Sequence, residues 1–140
     1  MRKEVVLSIR GKQKYMDQEP EEIELVTDGI LERTDDGWDL FYEESDLTGM
    51  AGVTTTFHVE EDEITLSRAG QLSSQMVFKE GVFHDSLYQM SFGALMITVC
   101  ASKVRSQLGP DGGTVDLVYA IEVEQNAAGV IEYHLDVKTK

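Results

Sequence analysis

The chain is short of cysteine, of long apolar runs, of helical periodicity and of basic charge, and each shortage excludes something. Cys100 is the only cysteine among 140 residues, so no intramolecular disulfide can form and a reducing compartment is expected. The same residue cannot build a thiolate cluster, and its neighbours would not lower its pKa, so it reads as an inert thiol. Alternating rather than continuous apolar residues follow Met1-Arg2-Lys3-Glu4, and no apolar run reaches membrane length. A soluble cytoplasmic protein is therefore expected. Twelve basic residues stand against 26 acidic ones, a net charge of −14. Such a surface repels phosphate backbones, which makes nucleic acid and anionic membranes poor partners.

No window of helical length keeps a 3.6-residue apolar period, whereas period-2 alternation runs nearly throughout. In residues 115–123 every odd position is apolar, and the pattern recurs in 131–137. Weaker alternation covers 4–15, 21–33, 38–44, 53–60, 63–68, 73–79, 86–92 and 94–106. Turn signals separate these segments: Asp35-Asp36-Gly37, Glu61-Asp62, Glu80-Gly81, Gly109-Pro110-Asp111-Gly112-Gly113, and Asn126-Ala127-Ala128-Gly129. Links this short join antiparallel neighbours, so the expected fold is all-β and single-domain over residues 1–140. About eight to ten strands in series suggest an up-and-down barrel, whose interior either is filled by side chains or holds one small ligand.

Residues 1–14 hold five basic residues against Glu4 alone. Two readings stand: a basic arm for an acidic partner, or a cross-strand ladder. In the second, a hairpin around Asp17-Gln18-Glu19 sets Lys14 opposite Glu22 and Lys12 opposite Glu24, with Ile23 and Leu25 inward. Gly11 and Gly29 are candidate bulges.

The order of segments resembles the YwiB-like family of small bacterial proteins of unknown function. The likeness spans roughly residues 5–137. It rests on Tyr42-Glu43-Glu44, on Arg68-Ala69-Gly70, on Tyr88-Gln89-Met90-Ser91-Phe92-Gly93-Ala94-Leu95, and on Gly113-Thr114-Val115 with Tyr119. The resemblance implies a calycin-like (lipocalin-like) antiparallel barrel and a bacterial cytoplasmic origin. It carries no activity, cofactor or catalytic residue.

Candidate chemistry centres on Arg68, which alternation places on the same face as Ile64 and Leu66. A charge there needs a partner, a wet cavity or an exit to solvent. Trp38, Leu40 and Tyr42 alternate inward, and the same parity brings Glu44 to that side, so an Arg68–Glu44 pair with Tyr42 nearby is one reading. Both charges sitting solvated on a rim is the other. The candidate ligand-binding residues are Tyr42, Glu44, Arg68, Tyr88 and Tyr119. The aromatic residues equally serve as core filler.

No metal site and no cofactor are expected. His58, His84 and His134 lie on separate segments without ligand spacing, and the acidic clusters do not fit an EF-hand. Ser91 lacks the first glycine of a hydrolase elbow, and phosphate-binding loops are absent. The expected function is non-enzymatic binding of a small, partly apolar and anionic ligand in the barrel. The alternative is a packed interaction module whose acidic surface meets a basic protein. An enzyme on the barrel rim is a third reading, with no residue singled out.

Overall fold

The structure, a computed structural model, describes residues 1–15, 18–45, 51–90 and 93–140. Asp17, Ser91 and Phe92, named above, lie outside the described residues. Each alternating window becomes a strand: β1 (Arg2–Tyr15), β2 (Glu21–Arg33), β3 (Trp38–Glu43), β4 (Val53–Val59), β5 (Ile64–Gly70), β6 (Ser74–Phe78), β7 (Phe83–Met90), β8 (Gly93–Gly109), β9 (Gly112–Val123) and β10 (Asn126–Thr139).

One ten-stranded sheet runs in the order β6-β5-β4-β3-β2-β1-β10-β9-β8-β7, and every named pair is antiparallel. Sequence neighbours pair except for β6 and β7, which form the two ends of the ladder, and β10 pairs with β1. The sheet curls until those ends nearly meet. Ser73 and Gln89 exchange backbone bonds of 2.9 and 2.8 Å at one level, and Gly81 donates to the Ala101 carbonyl at 2.9 Å at the other. Between these two fastenings the wall has a seam.

The inward rows pack as one core that includes Leu7, Leu31, Leu40, Ile64, Leu66, Leu117 and Leu135, all with no exposed surface. Burying each such side chain stabilises the fold by about 1.5–3 kcal/mol. A chain of rings crosses the middle of the barrel. Phe57 meets Tyr133 edge-on at 6.2 Å, Tyr133 stacks on Tyr119 at 6.5 Å, and Tyr119 lies 4.4 Å from Phe78. The middle is thus packed, and room for a ligand lies toward an end or in the wall.

Four details differ from the sequence reading. The ladder exists, but the hairpin closes one residue earlier, so Lys12 faces Glu22, Arg10 faces Glu24 and Arg2 faces Glu32. Lys14 pairs instead with Val130. Ile23 has inward parity yet stays 43% exposed, because β3 pairs with β2 only from Ile30 onward and leaves the earlier half uncovered.

Gly11 and Gly29 are not bulges. A Cβ on Gly29 would lie 2.7 Å from Leu7 Cδ1 and 2.9 Å from the Phe41 carbonyl, so the residue permits close packing. The register shifts fall instead between Ala101 and Lys103 and between Ala127 and Gly129. Finally, the β9–β10 turn is not at Asn126–Gly129. It sits at Glu124-Gln125, with φ of 51° and 69°, and Asn126–Gly129 begin β10.

Candidate functional site

A polar row crosses the inner wall. Tyr42 pairs with Thr55, Thr55 with Arg68, and Arg68 with Ser74, so four adjacent strands each contribute one inward polar residue at the same level. The parity inferred for β3 holds, since Trp38, Leu40, Tyr42 and Glu44 are all buried.

At one end of the row the Glu44 carboxylate accepts a hydrogen bond from Thr55 Oγ1 at 2.6 Å and another from the Tyr42 hydroxyl. Burial, and then the charge of Glu44, push the Tyr42 hydroxyl well above its ordinary pKa. At the centre stands Arg68. Burial works against its charge, but the oxygens of Tyr133, Tyr119 and Tyr42 hold its pKa above the usual value, with Tyr133 accepting a hydrogen bond from it.

The five tyrosines of the chain form one interacting group that runs from the middle of the barrel, where Tyr119 and Tyr133 stand, toward one end. Tyr119, wholly buried, has its pKa raised by burial and by Tyr133, against an opposing effect of Arg68, with smaller contributions from Tyr15 and Tyr88. Tyr15 is raised by burial, Tyr133, Glu21 and Tyr88. The tyrosines come from β1, β3, β7, β9 and β10, and together they give Arg68 a hydroxyl-rich surround. The sequence reading singled out Tyr42, Tyr88 and Tyr119 and missed the part played by Tyr15 and Tyr133. The overlooked signal is parity: all five tyrosines alternate in phase with the inward residues of their strands, Tyr15, Tyr42 and Tyr88 at or near the end of an odd-numbered strand and Tyr119 and Tyr133 near the middle of theirs.

At its other end the row opens into the seam. Ser67, Arg68, Ser73, Ser74, Gln75, Ser86, Leu87 and Gln89 line a cleft of about 330 Å³ between β6 and β7. The lining among the described residues has four hydroxyls, two side-chain amides, one guanidinium and no carboxylate, in a chain with 26 acidic residues. Two of its polar atoms, Arg68 Nε and Ser74 Oγ, are buried without any hydrogen-bond partner. Ser74 itself is only 7% exposed. A buried polar group left unsatisfied costs about 1–3 kcal/mol, so two side by side on paired strands call for an explanation. Below the cleft, the His84 imidazole reaches across the seam and accepts the Val77 N–H through Nδ1 at 3.4 Å. Sequence reasoning missed Ser74, Ser86 and Gln89, because alternation cannot show where a ladder of strands fails to pair.

Fold and site define a ten-stranded antiparallel β-barrel, packed through its middle, with an arginine-bearing cleft in its wall. The chain belongs to a family described as a domain of unknown function (DUF1934), whose model matches residues 7–137. A curated relative, the uncharacterized beta-barrel protein YwiB of Bacillus subtilis (strain 168), is 30% identical over 83 residues, which span 59% of this chain and 56% of that protein. The crystal structure of the ywiB protein from Bacillus subtilis superposes with a TM-score of 0.83 at 22% identity, covering 99% of this chain and 94% of that one, a likeness of fold.

Proposed function

We propose that this protein is a non-catalytic, cytoplasmic binder of a small anion-bearing ligand taken up at the β6–β7 seam. The carrying observation is the cleft, free of carboxylates among the described residues, in which Arg68 Nε and Ser74 Oγ lie buried with no hydrogen-bond partner among those residues. A guanidinium recognises a carboxylate or phosphate through paired N–H donors, and surrounding hydroxyls and amides suit the polar body of such a ligand. Tyr42, Tyr119 and Tyr133 position the guanidinium from within, Tyr88 on β7 belongs to the same tyrosine group through Tyr119 and Tyr15, and Glu44 supplies a compensating charge one tyrosine away. Leu87 offers the ligand an apolar contact.

Native mass spectrometry of protein purified gently from its host, set beside the denatured mass, tests this reading. A stoichiometric excess mass that is lost on denaturation and absent from Arg68→Met is expected. A bare mass, together with no thermal stabilisation by inorganic phosphate or simple carboxylates, would overturn it. The packed middle of the barrel favours a second reading, an interaction module whose acidic surface meets a basic protein. Under that reading, affinity for a basic partner is unaffected by Arg68→Met.

A further inference from the structure

We propose that the outer wall, at the end of the barrel away from the tyrosines, carries a site for a divalent transition-metal cation such as Zn²⁺, formed by His58, Asp36 and Glu60. Two tight turns assemble it. In the turn between β2 and β3, Thr34 N–H donates to the Gly37 carbonyl at 2.9 Å and Gly37 N–H donates to Thr34 Oγ1 at 3.0 Å. Thr34 Oγ1 in turn donates to Asp36 Oδ1 at 3.1 Å, which fixes that carboxylate. In the turn between β4 and β5, Glu60 N–H donates to the Glu63 carbonyl at 2.8 Å. The two turns abut because Gly37 has no side chain: a Cβ there would lie 2.0 Å from the Val59 carbonyl oxygen.

His58 stands on the outward face of β4 between the turns. Its Nδ1 donates to Asp39 Oδ1 on the paired strand, which leaves Nε2 facing Asp36 Oδ1 at 3.4 Å and Glu60 Oε2 at 3.9 Å. One ligand atom from each of the three residues lies within 4.8 Å of the other two. Metal–ligand bonds of about 2.0–2.2 Å in tetrahedral array set donor atoms roughly 3.4 Å apart. His58 and Asp36 meet that spacing as they stand, and Glu60 needs a small rotation of a flexible side chain. A carboxylate on the far ring nitrogen is the arrangement that holds a ligating histidine in the right tautomer, and Asp39 provides it. Water would complete the fourth position. The Glu60 carboxyl, raised by its hydrogen bond with Glu63, by desolvation and by the charge of Asp36, is crowded by like charges that a cation would relieve. His58 and Glu60 are two residues apart, but Asp36 comes from a separate turn, so no contiguous motif announces the site.

Titration of the whole chain with ZnCl₂ in a non-coordinating buffer tests the proposal by calorimetry. Quenching of tryptophan fluorescence by Co²⁺ adds a local readout, since Trp38 is the only tryptophan, adjoins Gly37 and pairs with Val59. The expected result is one Zn²⁺ per chain at micromolar affinity, with Trp38 quenched by Co²⁺. Asp36→Asn keeps an oxygen for Thr34 but removes the charge, and should weaken binding about tenfold or more, as should His58→Gln. Asp39→Asn should weaken it by roughly 10–100-fold through the ring orientation alone. His134→Gln, which alters the other aspartate-bonded histidine, should leave it unchanged. Absence of Zn²⁺ binding, or binding that survives both His58→Gln and Asp36→Asn, would overturn the proposal.

Discussion

Arg68→Met exchanges a buried guanidinium for an unbranched apolar side chain of comparable reach, and the structure sets the sign of two separate consequences. Relief of the unpartnered Nε–H contributes about 1–3 kcal/mol in favour of the variant. Loss of the charge-assisted bond to the Tyr133 hydroxyl takes back roughly 1.5–3 kcal/mol at most, less because half-buried Tyr133 can turn to water. The guanidinium's desolvation penalty, on the order of several kcal/mol for a buried ion, also disappears, and is offset in part because the buried Glu44 carboxylate loses its compensating charge. The balance is a gain near 1 kcal/mol, which in a chain of this length raises the melting midpoint by about 3–5 °C. Ser74→Ala should act in the same direction by about 0.5–1 kcal/mol, because it deletes a buried hydroxyl with no partner. Thermal and urea unfolding followed by circular dichroism measure both. A residue kept at a cost to stability is the mark of a functional position. If Arg68→Met instead lowers the midpoint by several degrees, the arginine is a structural member of the tyrosine cluster and the argument for a ligand at the seam fails.

Stability should also depend on pH through the two histidines on the outer face. Hydrogen bonds from His58 to Asp39 and from His134 to Asp116, opposed by desolvation and reinforced by nearby carboxylates, raise both above the ordinary value of 6.5. A raised folded-state pKa stabilises in full below 6.5 and the gain is lost as pH climbs through the folded value, so the urea midpoint should fall as pH rises above 6.5. His58→Asn and His134→Asn should each flatten that slope, and an unchanged slope in the double variant would refute the assignment. Gln125→Gly should stabilise the β9–β10 hairpin by about 1 kcal/mol, because φ of 69° is strained for glutamine and free for glycine. Glu124 should be left in place, since its Oε1 accepts the Met96 N–H at 2.8 Å. A lower melting midpoint in Gln125→Gly would contradict this account.

The strands were legible because an antiparallel barrel, dry inside and wet outside, writes a period of two into each of them. Parity alone put Glu44 and Arg68 on the side facing the core. Register was less legible: Lys12 and Glu22 reveal that the ladder exists, but its phase depends on turn geometry that the residues around Asp17 do not dictate. The β9–β10 turn was misplaced because Asn126 and Gly129 have turn chemistry, whereas Glu124 and Gln125 adopt left-handed backbone without it. The site was half visible. Arg68 betrayed itself as a charge among apolar neighbours, but Ser74 became informative only when β6 proved to end the ladder with its hydroxyl unpaired. Asp36, His58 and Glu60 were unreadable as a group, because Gly37 brings their turns together by the bare closeness of two backbones.

The seam has a bearing on how this protein behaves among its own copies. An unpaired strand edge is a template on which another molecule can build, and this barrel keeps two of them, β6 and β7. They face each other across the cleft, too near for a foreign strand to enter, with His84 occupying the Val77 N–H and the Glu80 carboxylate taking the Val104 N–H beside the irregularity in β8. Exposed Phe83 and Leu87 flank that edge. Loosening these fastenings would thus show itself first as molecules sticking to one another while their strand content stays intact, a failure of solubility rather than of folding.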